Sequence, residues 1–533
     1  MNSANLIPYY MGRRSIFWAS LATITWLNIS FLSGEKIKKP NIIVILADDM
    51  GYSDLSCMGS EIPTPNIDRL AKNGVLFTHF YNASRCCPSR ASLLTGLYQT
   101  RAGMGNMNTT HLDVPEYQGS LSRNAVTIAE VLKESGYRTM MTGKWHVGDE
   151  PENWPNQRGF DKFYGIPAGG GLYFYPTKFL ERPVYLNEKE VIPESGWYST
   201  DGFTDYAIRF IEEGGKEKKP FFLYQAYIAP HYPLQAKEED IAKYKGKYDE
   251  GFESIRQKRF KRQKEMGIVS SETVLSPPEY PGWSSVENKK EESRKMEIYA
   301  AQIDCLDQNI GRLVKSLKDQ GLYENTVIIF LSDNGACAEE VNKTKGVQIG
   351  GANSFVSYGK NWANVSSTPY RLFKHFNHEG GILTPMIVSW PKGISKTGVI
   401  TDQPALINDI MPTCLELAGA KYPANYMGKN IFPVDGNSFW PLVSGQKHIS
   451  DRSMFFQHEG NGAIRQNNWK LVMEFNKGWE LYDMTKDPSE MNDLSKKNPK
   501  QKQQLFEKYQ NWSRAYGVLP WPLPSVKKVS NKQ

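Results

Sequence analysis

The chain has 533 residues, 40% of them hydrophobic and 23% charged, with a formal net charge of +7. Such a balance belongs to a globular protein with its own core and excludes a disordered polyelectrolyte. The 6 cysteines are too few and too scattered for a disulfide framework, and modest basicity without a recognition motif gives no case for nucleic acid.

Near its start Arg13 and Arg14 precede the apolar stretch Ile16–Leu32, followed by small Ser33 and Gly34. This reads as an export signal over residues 1–34, which predicts a periplasmic or secreted protein. Ser20, Thr23, Thr25 and Asn28 make the stretch a poor span, so no stable membrane span is expected; retention as a single anchor stays open.

Asn41–Ala47 is an unbroken apolar run, as expected of a central parallel strand. Thr64 and Pro65 open a helix whose inner face is Ile67, Leu70 and Ala71 and which Gly74 ends. A second helix is predicted over Thr127–Ser135 and a strand over Tyr137–Thr142. Gly148–Pro193, rich in Gly, Pro and aromatics, reads as irregular loops. Further strands are predicted at Phe221–Tyr227, Thr326–Ser332 and Met386–Trp390, with a long helix around Met296–Gln320. The basic run Arg256, Lys258, Arg259, Lys261, Arg262 and Lys264 reads as a solvated helix face, or else as an attractor of polyanions. From about Pro441 the texture changes to short strands at Met454–Gln457, Gly462–Arg465, Trp469–Phe475 and Trp479–Asp483, then a polar helix over Lys500–Ala515. The alternation predicts an α/β fold, a sandwich around a large, mainly parallel central sheet over residues 35–440. A smaller C-terminal α+β subdomain with a short antiparallel sheet is expected over 441–533.

The polar motifs share one placement. Asp48-Asp49, Lys144-Trp145-His146, His231 and Asp333-Asn334 each follow a predicted strand directly. Ligands and chemistry gather at the carboxyl ends of such strands. Four oxygen donors, from Asp48, Asp49, Asp333 and Asn334, suit a hard divalent cation and favour calcium over zinc. Taken singly, Asp-Asp is a helix cap and Asp-Asn-Gly a tight turn. Lys144 and His146 alternate on an extended segment and can face one side. His231 sits in a stiff loop between Pro230 and Tyr232-Pro233, and Lys374 lies upstream of Glu379-Gly380-Gly381.

The stretch Cys86-Cys87-Pro88-Ser89-Arg90-Ala91-Ser92-Leu93-Leu94-Thr95-Gly96 fits the pattern C-x-P-S-R-x-x-x-L-T-G without a mismatch. Its plain structural alternative is a vicinal cysteine pair in a turn. Arg90, four residues on, shares a face with Cys86 if a helix opens near Ser89.

With this motif the chain resembles the type I sulfatases of the alkaline-phosphatase superfamily, in particular the bacterial arylsulfatase branch. Pro63-Thr64-Pro65-Asn66-Ile67-Asp68-Arg69-Leu70, Gly159-Phe160-Asp161 and Glu480-Leu481-Tyr482-Asp483 extend the likeness over nearly the whole mature chain. The resemblance implies an alkaline-phosphatase-like catalytic domain and a sulfuric ester hydrolase. It implies that Cys86 is oxidised to formylglycine (3-oxoalanine) by a formylglycine-generating or radical maturation enzyme. A thiol would be trapped as a stable sulfur adduct, whereas a hydrated aldehyde carries one hydroxyl to attack and another to expel the product. By the same resemblance, Asp48, Asp49, Asp333 and Asn334, together with residue 86, hold one calcium ion. Arg90, Lys144, His146, His231 and Lys374 then surround the hydrate and the sulfate. Asp49 takes the proton of the attacking hydroxyl, His231 protonates the leaving alcohol, and His146 accepts the final proton. The expected substrates are sulfate esters of saccharides, with aryl sulfates as surrogates. The alternatives are a phosphonate monoester or phosphodiester hydrolase of the same superfamily, and a non-catalytic sulfoglycan-binding homologue.

Overall fold

The structure, a computed structural model, describes residues 39–524 except 171–172, 177–178, 180–181, 216–218, 279 and 447–450. The segment read as an export signal lies outside the described residues. No helix among the described residues is long and apolar enough to cross a membrane.

The apolar run Asn41–Ala47 is the middle of an 11-stranded sheet. On one side it pairs in parallel with Thr326–Ser332, from Asn41 opposite Thr326 to Ala47 opposite Ser332. Beyond lie Leu383–Ser389, Gly74–Tyr81 and the edge strand Val399–Thr401, with Ala405–Leu406 also on Gly74–Tyr81. On the other side follow Phe221–Ala226, Arg138–Lys144, Lys162–Ile166, Val184–Leu186 and Lys189–Val191. Leu383–Ser389 runs antiparallel to both neighbours, Val184–Leu186 runs antiparallel to Lys162–Ile166, and Lys189–Val191 to Val184–Leu186; the remaining pairings are parallel.

Alternation along the central strand builds two cores. Ile43, Ile45 and Ala47 enter one with Ile67, Phe203, Ile211, Leu306 and Leu313 from the helices Pro65–Lys72, Ser199–Glu213 and Lys289–Asp319. Ile42, Val44 and Leu46 enter the other with Leu93, Leu94, Ile128 and Ile410 from Cys86–Thr95, Ile128–Glu134 and Ile410–Ala418. Helices therefore cover both faces, which accounts for strands that are apolar throughout. Thr127 and Glu130 close a reciprocal capping box on Ile128–Glu134. Thr64 stands at its N-cap position but gives its hydroxyl to Asp68, 2.9 Å away. The free amides of Asn66 and Ile67 are instead taken by Asp307 of the long helix at 3.0 and 2.8 Å.

The four antiparallel strands Met454–His458, Asn461–Gln466, Trp469–Met473 and Trp479–Asp483 are covered by the helix Pro499–Ala515. Ile464, Leu471 and Leu481 pack on Leu505, whereas Phe456, Ala463, Val472 and Tyr482 turn into the first core. The described residues accordingly form one compact unit. Lys470, fully buried, ties the small sheet to the main body by donating to Glu379 at 2.7 Å and pairing with the Glu490 carboxylate at 2.7 Å.

Several expectations need correction. Gly148–Pro193 contains the strands Lys162–Ile166, Val184–Leu186 and Lys189–Val191. Gly74, read as a helix stop, also opens a strand to Tyr81. The basic run is not one solvated face: Arg256 and Arg259 of the helix Phe252–Glu265 are buried, while Lys261 is exposed. The helix after the cysteine motif opens at Cys86, not near Ser89.

Candidate active site

The carboxyl ends of the central strands deliver the polar residues to one place. Asp48 and Asp49 leave the strand Asn41–Ala47, and Asp49 takes a left-handed backbone with φ of 67°. Such a conformation is costly for a non-glycine residue and recurs at functional sites. It is held from the neighbouring strand, where Asp333 Oδ1 accepts the Asp49 N–H at 3.2 Å. Lys144 ends Arg138–Lys144 and donates to Asp48 Oδ2 at 2.6 Å, with both side chains fully buried. Lys374 lies 2.7 and 2.8 Å from the two oxygens of Asp49. Asn334 Nδ2 donates to Asp49 Oδ1 at 2.7 Å.

Cys86 occupies the first turn of Cys86–Thr95, so the positive end of that helix faces the carboxylates. Its Sγ is 3.8 Å from Asp49 Oδ1. One turn on, Arg90 donates through Nε to Asp333 Oδ2 at 3.1 Å and through Nη1 to the Lys144 carbonyl at 2.7 Å. Cys87 points away, into the second core, with Asn108 Oδ1 3.5 Å from its Sγ. None of the six cysteines is disulfide-bonded. Asn82 and Asn108, both in glycosylation-like sequences, are buried and donate to Thr384 and Asp149.

His231 Nε2 is 3.3 Å from Asp49 Oδ2, and its Nδ1 faces the Tyr232 carbonyl. His146, with φ of 63°, has a buried Nδ1 without a hydrogen bond among the described residues. A Cβ on Gly169 would stand 1.9 Å from His146 Nε2, so glycine is what gives this ring its place. The structure thus gathers every residue singled out in the sequence: Asp48, Asp49, Cys86, Arg90, Lys144, His146, His231, Asp333, Asn334 and Lys374.

Electrostatics follow from burial and pairing. Burial pushes the Asp48 carboxyl up, but Lys144 and Arg90 outweigh it and hold the group well below the usual range. Burial and then the neighbouring Asp48 push Asp333 up to about 7, despite the Arg90 fork. Burial pushes the Cys86 thiol well up, and the nearby lysines do not offset this. Burial also pushes His146 and His231 down. At His231 the neighbours oppose burial: the Tyr232 carbonyl accepts at Nδ1, and the Asp49 carboxylate lies 3.3 Å from Nε2. That pair of neighbours favours a ring bearing both protons.

The donor set fits a hard cation. Asp48 Oδ1 and Asn334 Oδ1 are buried without a hydrogen bond among the described residues. The crowding of Asp48, Asp49 and Asp333 that raises Asp333 is what a divalent ion relieves. Ligand atoms of Asp48, Asp49, Cys86 and His231 lie within 4.8 Å of one another. Asp333 sits toward Arg90, so its place in the ligand set is the least direct.

Arg259, hidden in the basic run, was not singled out in the sequence. Its Nη1 donates to Asp54 Oδ1 at 2.7 Å, and Asp54 Oδ2 accepts the Gly51 amide at 2.8 Å. It thereby pins the turn that follows Asp49. The spacing of Arg256, Arg259 and Gln263, all buried on one helical stripe, is the signal that could have revealed it.

A mainly parallel sheet between two helical layers, with buried carboxylates, lysines and a helix-borne cysteine at its carboxyl edge, defines a sulfuric ester hydrolase of the alkaline-phosphatase superfamily. Comparison with known proteins makes the class specific. The sulfatase family profile matches residues 40–420, and that of the C-terminal part of N-sulphoglucosamine sulphohydrolase matches 370–512. The chain is 36% identical to an uncharacterized sulfatase of Schizosaccharomyces pombe, over 93% of this chain and 97% of that protein. It is 35% identical to an arylsulfatase of Klebsiella aerogenes, over 78% and 94%. The crystal structure of Ps i-CgsB in complex with k-i-k-neocarrahexaose superposes with a TM-score of 0.69 at 32% identity, covering 89% of this chain and 93% of that one. The chain belongs to the sulfatase family.

Proposed function

We propose that this sulfatase acts on sulfate esters of saccharides through a formylglycine made from Cys86, with one calcium-type ion held by Asp48, Asp49, Asp333 and Asn334 beside residue 86. The observation that carries the reading is the state of Cys86. Its thiol lies at a helix N-terminus 3.8 Å from a carboxylate, yet burial keeps it protonated. A neutral thiol is a poor nucleophile, so the position makes chemical sense once it carries oxygen. The hydrated aldehyde supplies an oxygen nucleophile and a second hydroxyl through which sulfate is released. The cation, when bound, supplies a Lewis acid for the sulfate oxygens.

The residues of the chain divide the remaining work. Lys144, Lys374 and Arg90, held charged by their carboxylate partners, present fixed positive charge to a sulfuryl group without reorganisation. Asp49 Oδ1 is the carboxylate oxygen facing residue 86 and holds the proton of its hydroxyl. His231, with acceptors at both ring nitrogens, holds the proton for the leaving alcohol. His146, kept neutral by burial, is a ready acceptor for the last proton.

The saccharide reading draws on the Ps i-CgsB complex with k-i-k-neocarrahexaose and on the 28% identity to N-acetylgalactosamine-6-sulfatase of Rattus norvegicus. Export under the 1–34 signal and conversion by a maturation enzyme belong to the same proposal. Peptide mass spectrometry of the Cys86 peptide, followed by parallel kinetics on sulfate and phosphate esters, tests it. An aldehyde at residue 86 and a preference for sulfate are expected. An unconverted cysteine in active protein overturns the nucleophile, and a preference for phosphonate or phosphodiester substrates overturns the substrate class.

A further inference from the structure

Lys374 and His375 are neighbours in the chain but serve different places. Lys374 reaches Asp49 in the site. His375, with φ of 89°, turns the other way onto the hairpin that joins Met454–His458 to Asn461–Gln466. The turn of that hairpin is Glu459-Gly460, both with positive φ, and His458 pairs with Asn461 across it. His375 Nδ1 is 3.0 Å from Glu459 Oε2. The loop is also tied to the segment leading into Cys86, because the His375 amide donates to the Ser84 carbonyl at 2.9 Å. The hairpin of the small sheet therefore stands beside the segment leading into Cys86, within the field of Arg85 and Lys374.

His375, His458 and Glu459 have the composition of a transition-metal site, with ligand atoms within 4.8 Å. The hydrogen bonds argue against that use. Asn461 Oδ1 accepts the Phe475 amide at 3.0 Å, which fixes its Nδ2 against His375 Nε2 at 3.3 Å. That nitrogen accepts, so the proton sits on Nδ1 and is donated to Glu459. A metal at Nδ1 would have to displace that proton and break the bond to Glu459. What remains is a partly exposed carboxylate oriented by an imidazole, beside the loop that carries Lys374 and the segment leading into Cys86. Although burial pushes Glu459 up, the His375 hydrogen bond and nearby charges bring it down to about 2. Beside it, His458 is fully buried and neutral, and neither of its ring nitrogens has a hydrogen bond among the described residues. Its 3.7 Å approach to Glu459 is therefore no ion pair. An imidazole sealed in this way is destabilising until a polar group reaches it.

We propose that Glu459, oriented by His375 and backed by His458, is a saccharide-binding subsite that accepts hydrogen bonds from hydroxyls next to the scissile sulfate ester. This rests on the saccharide reading above. A carboxylate accepts from hydroxyls and repels anions. The subsite therefore selects a sugar with a free hydroxyl at this side over one with a second sulfate.

The test uses the inert Cys86→Ala protein and calorimetric titration with defined monosulfated and disulfated saccharides, alongside kinetics of the converted enzyme. Adding Glu459→Gln should weaken binding of the monosulfated saccharide by about tenfold or more, the worth of one charge-assisted hydrogen bond. The penalty on a disulfated competitor should be smaller. In the converted enzyme, Glu459→Gln should lower kcat/KM for the saccharide by about tenfold more than for para-nitrophenyl sulfate. Equal losses on both substrates, or unchanged saccharide affinity, overturn the subsite. Stoichiometric zinc binding that His458→Ala abolishes also overturns it, in favour of a metal. A wild-type enzyme that cleaves aryl sulfates but none of the saccharides overturns the saccharide reading itself, before any variant is compared.

Discussion

Arg259 Nη1 lies 2.7 Å from Asp54 Oδ1, and both side chains are fully buried. Asp54 also accepts from the Gly51 amide and the Tyr299 hydroxyl, each at 2.8 Å. Removing one partner of a buried pair leaves an uncompensated charge, at a cost of about 3–5 kcal/mol. Arg259→Met should lose stability in that range in urea unfolding and weaken cation binding at Asp48 and Asp49 through the turn they share. Arg259→Lys should recover part of both, since one ammonium replaces one arm of the fork. Wild-type unfolding and cation affinity in Arg259→Met would show that the pair does not position the turn.

Cys86 and Cys87 are adjacent, but only Cys86 faces Asp49. Cys86→Ala should abolish turnover of every sulfate ester. Cys87→Ala removes one buried atom from the second core, worth about 1 kcal/mol by the scale of a buried methylene, and should leave turnover largely intact. Aldehyde content at residue 86 is measured first in Cys87→Ala, because a conversion defect mimics a catalytic one. Loss in folded, aldehyde-bearing Cys87→Ala equal to that in folded Cys86→Ala would overturn the assignment of the nucleophile to residue 86 alone.

Much of this was legible in the sequence for physical reasons. Asn41–Ala47 and Thr326–Ser332 announce themselves because strands covered on both faces are apolar through their middles, Ile42–Ala47 and Val327–Leu331. The polar residues that follow them had to gather at one edge. The strand Gly74–Tyr81 escaped because the helix stop at Gly74 and the strand start share one residue. Lys162–Ile166 and the short strands beyond it carry too few residues to show a period. Arg259 looked solvated since lysine and arginine neighbours hid its stripe. The His375–Glu459 contact joins residues far apart in sequence, and nothing local marks it.

The cluster of Asp48, Asp49, Asp333 and Asn334 should make stability depend on calcium. Chelation leaves the carboxylates facing one another, so Tm should fall and recover on adding calcium more than on adding magnesium. A ligand at about a hundred times its Kd stabilises by roughly 2.7 kcal/mol, which sets the scale. Asp333→Ala should lower occupancy in elemental analysis together with activity. Unchanged stoichiometry in that variant removes Asp333 from the ligand set, whose place there is the least direct of the four.

Glu480 ties the small sheet to the loop before the helix Glu379–Ile382, accepting from Tyr482 at 2.8 Å and lying 3.2 Å from His378 Nε2. Although burial raises it, the His378 hydrogen bond and charge bring it down to about 2. A depressed carboxyl adds stability above its unfolded value of about 4.3, and that stability is lost as pH falls toward 2. Discounted for its partial exposure, the contribution is about 1–2 kcal/mol. Urea midpoints between pH 5 and pH 2 should therefore show wild type above Glu480→Gln at the upper end and converging with it at the lower. A constant gap would mean that Glu480 acts through packing, not charge.

His231 is held between two acceptors, the Tyr232 carbonyl and Asp49. As the proposed general acid, it would hold a proton for the leaving oxygen of a sulfate ester. A poor leaving group needs that proton in the transition state, whereas an activated phenolate hardly does. His231→Ala should therefore cost about 10²–10⁴-fold in kcat/KM on a saccharide sulfate. The penalty should be much smaller on para-nitrophenyl sulfate when cleavage to that leaving group limits the rate. Single-turnover kinetics on both substrates separate cleavage from product release. Similar penalties on the two would assign His231 to sulfate binding or to holding Asp49, and the acid role would pass to Lys374 or to water.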